Sequence, residues 1–117
     1  MLGELFRQAF SKRPLSLART RSNGQTIVRG LDAVSQDEDI VAEIKSHRHT
    51  EKAFANTRFP PAMLACRYLE LCGARTKLMV FTDATFCRRF KAAADGLLAS
   101  DIEVVWADLA GNRFTNT

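Results

Sequence analysis

Apolar and polar residues alternate along two short stretches, TIVRGLDAV at 26–34 and IVAEIK at 40–45. A period of two is typical of β-strands that bury one face of a sheet. The residues between the two stretches, SQDED at 35–39, are all polar, as is common in a reverse turn. The pattern therefore predicts a β-hairpin over 26–45.

The same residues also satisfy the rules for a capped α-helix. Ser35 and Glu38 have the spacing of a capping box, in which each side chain binds a free backbone N–H group. A helix would also group Ile40, Val41 and Ile44 on one face. Acidic residues would lie at its start and basic residues at its end, as the helix dipole favours. Local patterns alone favour this helix slightly, so both structures remain open at this point.

Downstream, helical and strand patterns alternate. The region 50–73 has helical spacing, interrupted at 59–61 by Phe-Pro-Pro. A buried strand follows at 77–82, then a helix that Asp83 or Thr82 can cap. A last strand is predicted at 102–107. Strands joined by helices usually lie parallel, so we expect an α/β fold with a mixed sheet.

The flanking regions complete a single predicted domain over residues 1–117, since the chain is too short for two cores. We expect an amphipathic N-terminal helix, a basic linker that contains an Asn-Gly turn signal, an α/β core and a polar tail. Their predicted bounds are 1–13 for the helix, 14–25 for the linker, 26–110 for the core and 111–117 for the tail.

Composition narrows the class of protein. Hydrophobic residues make up 46% of the chain and charged residues 26%, which is typical of globular domains. No apolar run approaches the roughly 20 residues of a membrane helix, so we expect no membrane partner. Three cysteines without CxxC spacing, Cys66, Cys72 and Cys87, favour buried reduced thiols. These features predict a cytoplasmic location.

The positive charge is concentrated at the N-terminus. Residues 1–31 hold six basic side chains against Glu4 alone, whereas residues 32–117 hold eleven basic and twelve acidic side chains. This excess predicts contact with a polyanion such as nucleic acid, with solvated surface charge as the alternative. The same segment is also similar in composition to a mitochondrial presequence, against which Glu4 counts.

The predicted hairpin has a chemical consequence. If the apolar residues of its two strands share one face, Asp32, Glu43 and Lys45 share the other. Two carboxylates can hold a divalent cation through oxygen ligands. A lysine beside them can stabilise charge on a phosphate or orient a water molecule. In a helix, Glu43 and Lys45 would point in different directions and no such site would form.

The segments GLDAV and VAEIKS resemble the PD-(D/E)xK nuclease superfamily, nearest to its Mrr-type and Holliday-junction-resolvase-like members. KLMVFTDATFCRRFKAAADGLL and EVVWADL are similar to the later elements of those members. The resemblance covers roughly 26–110 and rests on three motif residues. It departs from the common pattern at Leu31, where many members have Pro. The fold that it implies is restriction-endonuclease-like, a mixed sheet flanked by helices.

The resemblance implies a Mg²⁺-dependent DNA endonuclease, in which Mn²⁺ is expected to substitute for Mg²⁺. Asp32 and Glu43 would bind the metal, with the carbonyl oxygen of Ile44 as a further ligand. Lys45 would orient the attacking water or stabilise the phosphorane. Glu4 would complete the metal site from the first helix. A stand-alone domain that cuts both strands would act as a homodimer.

In this interpretation the basic residues would contact the DNA backbone, where they would set the register of the protein on the DNA without reading the base sequence. The candidates for these contacts are Arg19, Arg21, Arg29, Lys52 and Arg58. Two rival functions remain. One is a catalytically inactive nucleic-acid-binding domain of the same fold. The other is an unrelated α/β protein-interaction domain in which residues 35–46 are helical.

Overall fold

A mixed β-sheet organises the chain. The structure is a computed structural model that describes residues 10–46, 48, 50, 57–108 and the backbone of 113–115. In chain order the elements are β1 (Phe10–Thr20), β2 (Thr26–Ser35), β3 (Ile40–Lys45), α1 (Phe59–Glu70), β4 (Thr76–Phe81), α2 (Ala84–Ala93), β5 (Ile102–Asp108) and β6 (Arg113–Thr115). The predicted α/β class is confirmed.

The strands lie in the sheet in the order of the chain, from β1 to β6. The pairs β1–β2, β2–β3 and β5–β6 are antiparallel, whereas β4 lies parallel to both β3 and β5. The parallel strands are linked by α1 and α2, as the alternating pattern of the sequence predicted. The chain is therefore an antiparallel meander followed by two parallel crossovers.

The hairpin prediction over 26–45 is confirmed, and the helical alternative is wrong. The Ser35 hydroxyl accepts a hydrogen bond from Ile40 N–H at 3.0 Å and donates one to Asp37 at 2.7 Å. Glu38 has a φ of 62° and donates its N–H to the Ser35 carbonyl. The Ser35 hydroxyl and the Glu38 N–H thus take part in a reverse turn, while the Glu38 carboxylate lies 3.8 Å from the Arg13 guanidinium.

The basic linker predicted at 14–25 is wrong, because β1 extends through Thr20 and pairs with β2 along its length. The N-terminal helix predicted over 1–13 is wrong from Phe10 onward, and residues 1–9 lie outside the described part of the chain. Pro14 lies within β1, which is tolerated because β1 is the edge strand and a missing N–H faces outward. The turn predicted at Asn-Gly joins the two strands, with Gly24 at a φ of 86°.

A β-bulge interrupts β2 at the candidate site. Ser11 of β1 pairs with Val34 of β2. Two residues further along β1, Arg13 pairs with Leu31, which is three residues back along β2. The extra residue lies between Leu31 and Val34, where Asp32 is. Bulges change the direction of a side chain relative to its neighbours and are common beside functional sites.

Because of the bulge, the predicted alternation of side chains between the two faces of β2 is wrong here. Leu31 and Ala33 were expected on one face, but Leu31 and Val34 both pack in the main core. Ala33 packs on the opposite face, beside Ala42. Beyond the bulge the expected pairing holds, since Ala33 pairs with Ala42 and Val34 with Val41.

Both helices contribute to the main core on one face of the sheet. Their buried residues are Ala62, Ala65, Cys66 and Leu69 of α1, and Phe86, Cys87 and Phe90 of α2. Phe81 of β4 packs against α2, with its ring centroid 5.1 Å from that of Phe86 and 4.9 Å from that of Phe90. Pro60 and Pro61 begin α1 rather than interrupt it, because proline lacks only an N–H that the first turn leaves unpaired.

The predicted bounds of the core and the tail also change. The core was expected to begin at 26, but Leu17 of β1 is buried within it. The tail predicted at 111–117 contains β6, and residues 111, 112, 116 and 117 lie outside the described part. Among the described residues, neither helix combines the length and the apolar character that crossing a bilayer requires.

Replacing Asp83 with alanine is expected to lower the free energy of unfolding by about 1 kcal/mol. The Asp83 carboxylate accepts a hydrogen bond at 2.8 Å from Phe86 N–H, which belongs to the first turn of α2. Urea unfolding measures the change. Asp95→Ala, an exposed replacement after the end of α2, is the matched control and should be nearly neutral. Equal losses in the two variants would contradict a capping role for Asp83.

Candidate functional site

The hairpin brings Asp32 and Glu43 together. Asp32 lies in the bulge of β2, and Glu43 lies on the neighbouring strand β3. Their side chains are hydrogen bonded to each other. The second contact of Asp32 is to the backbone, because its Oδ2 accepts the N–H of Ile44 at 2.8 Å. Glu43 is only 2% exposed, whereas Asp32 is partly exposed. The site thus pairs a buried carboxyl with one that solvent can reach.

The two carboxyls differ in proton affinity. Burial, followed by the hydrogen bond and the negative charge of Asp32, raises the pKa of Glu43 to about 7, although Arg29 and Lys45 lower it. Burial also raises the pKa of Asp32. Hydrogen bonds from Glu43 and Ile44, together with Lys12 and Lys45, outweigh that burial and hold its pKa below the ordinary value. Below about pH 7 the proton of the pair therefore resides on Glu43 rather than on Asp32.

Lys45 lies within electrostatic range of both carboxyls, since its charge lowers the pKa of Asp32 and of Glu43. It is the last residue of β3, and its carbonyl accepts the N–H of Thr82 at 3.1 Å. Within the described part of the chain Lys45 makes no ion pair, so its ammonium group is available to a ligand. The three motif residues thus occupy one region of the sheet.

Arg29 is the cation in contact with Glu43. Its Nη2 atom lies 3.5 Å from Glu43 Oε1, and its guanidinium carbon lies 4.7 Å from the centre of the Tyr68 ring. Among the described residues, Glu43 Oε1 and Arg29 Nε are buried polar atoms without a hydrogen-bond partner. Arg29 was expected at the DNA backbone. The structure places it against the candidate metal ligand.

Two of the other expected contact residues, Arg19 and Arg21, lie apart from this site. Arg19 and Arg21 are exposed at the far end of the β1–β2 hairpin. From Thr26 to Asp32 the strand rises about 20 Å, so these two arginines flank the site rather than enter it. Arg58 is partly exposed and immediately precedes α1. Glu4 and Lys52 lie outside the described residues.

Two contacts of the site were missed at the level of sequence. Lys12 lies on β1 opposite the bulge, and its charge lowers the pKa of Asp32. Tyr68 supports Arg29 from α1. Alternation over residues 11–17 would have been the signal for β1, but Pro14 hid it. Nothing in the sequence pairs Tyr68 with a residue almost 40 positions earlier.

The cysteines take no part in this chemistry. All three are free and buried, in agreement with the prediction of buried reduced thiols. Cys66 lies on α1, within electrostatic range of Glu43 and Lys45. Burial, together with the negative charge of Glu70, raises the pKa of its thiol to about 12. A thiol that stays protonated is a poor nucleophile and a poor metal ligand.

The donor set fits a hard divalent cation. Glu43 Oε1 is buried, lacks a hydrogen-bond partner and belongs to a carboxyl pair. The described residues contain no group of three or more His, Cys, Asp or Glu side chains placed to hold a metal. Mg²⁺ is commonly held by one or two carboxylates together with waters and substrate phosphates. The pair of Asp32 and Glu43 therefore fits such a cation.

The contact recorded at Ile44 concerns its nitrogen. Its N–H binds Asp32, and this bond orients the carboxylate beside Glu43. The predicted use of the Ile44 carbonyl as a ligand stays a prediction.

Comparison with known proteins adds no family to this description. No family model matches the chain, and neither a curated protein nor a solved structure matches it.

Proposed function

We propose that the chain is a Mg²⁺-dependent DNA endonuclease with a restriction-endonuclease-like fold and a PD-(D/E)xK site. The observation that carries the proposal is the hydrogen-bonded pair of Asp32 and Glu43, with Lys45 within electrostatic range. Two carboxyl groups at short range destabilise the folded protein when both are ionised, because their negative charges repel. Such a pair is therefore expected where it serves a function. Perturbed pKa values of this kind concentrate at functional sites.

The arrangement of elements supports the same proposal. In the superfamily that the sequence resembles, an aspartate ends or interrupts one strand and Glu-x-Lys lies on the next. Here Asp32 lies in a bulge of β2, and Glu43 and Lys45 lie on β3. The Glu-x-Lys strand is then followed by a helix, a strand, a helix and a strand. The unrelated domain with a helix at 35–46 has no such support.

Each motif residue then has a chemical role. Asp32 and Glu43 would hold Mg²⁺, or Mn²⁺ in its place, with the Ile44 carbonyl and Glu4 as further proposed ligands. When bound, the metal supplies Lewis acidity and neutralises charge that develops on the phosphate. Lys45 orients the attacking water and donates hydrogen bonds to the phosphate oxygens. Below about pH 7, where Glu43 carries a proton when metal is absent, loading the site would release that proton.

DNA is the proposed substrate because the exposed basic residues flank the site. Arg19 and Arg21 lie at the end of a hairpin about 20 Å from Asp32, a separation comparable to the width of a duplex. They would contact backbone phosphates without reading bases, and Lys52 and Arg58 are proposed to do the same. A homodimer would supply the two sites that cleavage of both strands needs.

Supercoiled plasmid is the test substrate. The wild-type protein with Mg²⁺ or Mn²⁺ is expected to nick or linearise it, and EDTA is expected to abolish the reaction because the carboxylates then hold no cation. Asp32→Asn, purified in the same way, controls for a contaminating nuclease. Cleavage that survives EDTA would refute the metal-dependent mechanism.

The same assay separates the remaining rival. A wild-type protein that binds DNA fragments but leaves plasmid, branched and single-stranded DNA uncut with both metals would be a catalytically inactive binding domain. Loss of binding when Arg19 and Arg21 are both changed to glutamine would then locate the contact surface. The reduction should be similar for all sequences, because phosphate contacts carry no base preference.

A further inference from the structure

Arg29 makes two contacts, one with Glu43 of the candidate site and one with Tyr68. Its guanidinium group forms an ion pair with Glu43 at 3.5 Å and lies over the Tyr68 ring at 4.7 Å. Glu43 is fixed on β3 and Tyr68 on α1, so both partners come from rigid elements. The Arg29 side chain is 40% exposed, whereas the Glu43 side chain is 3% exposed. The guanidinium group thus lies between a buried carboxyl group and the surface of the protein.

This ion pair is loosely made. Neither Glu43 Oε1 nor Arg29 Nε has a hydrogen-bond partner, although both atoms are buried. Strong arginine–carboxylate pairs are usually bidentate, with hydrogen bonds shorter than about 3 Å. A buried pair that leaves such groups unsatisfied gains little from its mutual attraction. Another cation that offers Glu43 better coordination can therefore displace the guanidinium at small cost.

A displaced Arg29 would stay near the site. Its backbone lies three residues before Asp32 on the same strand, and its guanidinium group has a second contact, with the Tyr68 ring. A guanidinium group is planar and always charged, and it binds phosphate oxygens in a bidentate manner. Phosphate is also the group that a substrate would bring to the metal.

We infer that Arg29 is an internal counter-ion of Glu43 that a divalent cation displaces, and that the displaced guanidinium binds a phosphate of the nucleic acid. The inference rests on the proposed function, since it concerns the same metal site. It makes Arg29 a positioning residue that couples metal binding to phosphate binding. Coupling of this kind is reciprocal, so each ligand favours the other.

The first measurement is calorimetric titration with MnCl₂ at pH 8 in the absence of nucleic acid. Arg29→Gln is expected to bind Mn²⁺ about tenfold more tightly than the wild type, because a competing positive charge is removed. Tyr68→Leu should bind it about threefold more tightly, because Arg29 loses the ring that holds it beside Glu43. The pH is chosen above the Glu43 pKa of about 7 so that the carboxyl is ionised.

Two variants are matched controls. Tyr68→Phe keeps the ring face, and Arg67→Gln removes an exposed arginine of α1 that pairs with Glu70 instead. Both should bind Mn²⁺ as the wild type does. Circular dichroism checks folding, and Tyr68→Leu carries the test alone if Arg29→Gln does not fold. If the wild type binds Mn²⁺ and neither Arg29→Gln nor Tyr68→Leu binds it more tightly, the inference is overturned. The proposed metal site is then left intact. No binding by any variant would overturn both.

The second measurement concerns phosphate. A labelled DNA duplex is titrated with and without Ca²⁺, which takes the same oxygen ligands as Mg²⁺. Ca²⁺ should raise the affinity of the wild type for the duplex, and the increase should be about fivefold smaller in Arg29→Gln. An equal increase in the two proteins would overturn the phosphate contact.

Discussion

Lys45→Ala is expected to slow Mg²⁺-dependent cleavage of plasmid DNA by a factor of about 10²–10³ while the protein stays folded. Lys45 lies on β3 within electrostatic range of both carboxyls, and it makes no ion pair within the described part of the chain. Its ammonium group is thus free to stabilise charge as the phosphorus is attacked. Cleavage rates at saturating metal measure the loss.

Stability and metal binding separate a chemical role from a structural one. Lys45 is partly exposed, so its truncation should change the free energy of unfolding by less than about 1 kcal/mol. Mn²⁺ affinity should change much less than the cleavage rate. Lys91→Ala, a replacement of a partly exposed lysine of α2, is the matched control and should cleave as the wild type does. Undiminished cleavage by Lys45→Ala would remove this residue from the mechanism.

The metal-free protein is expected to lose about 2–3 kcal/mol of unfolding free energy between pH 4.5 and pH 8 that Glu43→Gln does not lose. The pKa of Glu43 is about 7 in the folded protein, against an ordinary value of 4.5. Between pH 4.5 and about pH 7 the unfolded chain has released the proton and the folded protein still holds it. The contribution of Glu43 to stability is therefore greatest below pH 4.5 and is lost as the pH rises through 7.

Urea unfolding in EDTA at several pH values measures this difference. The glutamine amide imitates the protonated carboxyl, because it donates a hydrogen bond to Asp32 and carries no charge at any pH. Glu103→Gln, a replacement on β5 away from the site, should follow the wild type. Parallel curves for the wild type and Glu43→Gln would show that Glu43 is not buried beside Asp32 in solution.

Mg²⁺ should restore the lost stability at pH 8 in the wild type and have little effect on Glu43→Gln. A cation that binds the folded protein alone stabilises it in proportion to its affinity and concentration. Because the cation replaces a proton on Glu43, this stabilisation should weaken below pH 7. A Mg²⁺ effect equal in both proteins would mean that the cation binds elsewhere.

Several features of the fold and the site could be predicted from residues alone. The strands at 76–81 and 102–108 were recognised because the apolar runs LMVF and VVWA have the length of buried strands. Asp83 and Thr82 were both candidate caps of α2 because they precede a helical stripe, and Asp83 is the cap. Asp32, Glu43 and Lys45 were selected on the condition that 40–45 is extended. These predictions depend on interactions within a few residues along the chain.

The extended conformation of 40–45 itself required the tertiary structure. Ser35 and Glu38 serve a helix start and a reverse turn equally well, so local rules cannot choose between them. The choice depends on burial, since Val41 faces the main core and Ala42 the second cluster once β3 lies between β2 and β4. Both faces of β3 are covered at these positions, which favours a strand.

By itself the sequence determined the α/β class, the parallel strands and the Asn-Gly turn, because short-range periodicity and turn chemistry specify them. Only the tertiary structure decided that β1 is a strand despite Pro14, that β2 bulges at Asp32, and that Arg29 lies between Glu43 and Tyr68. These features arise from contacts between distant parts of the chain, and their energies depend on burial that forms only when the sheet and α1 are assembled.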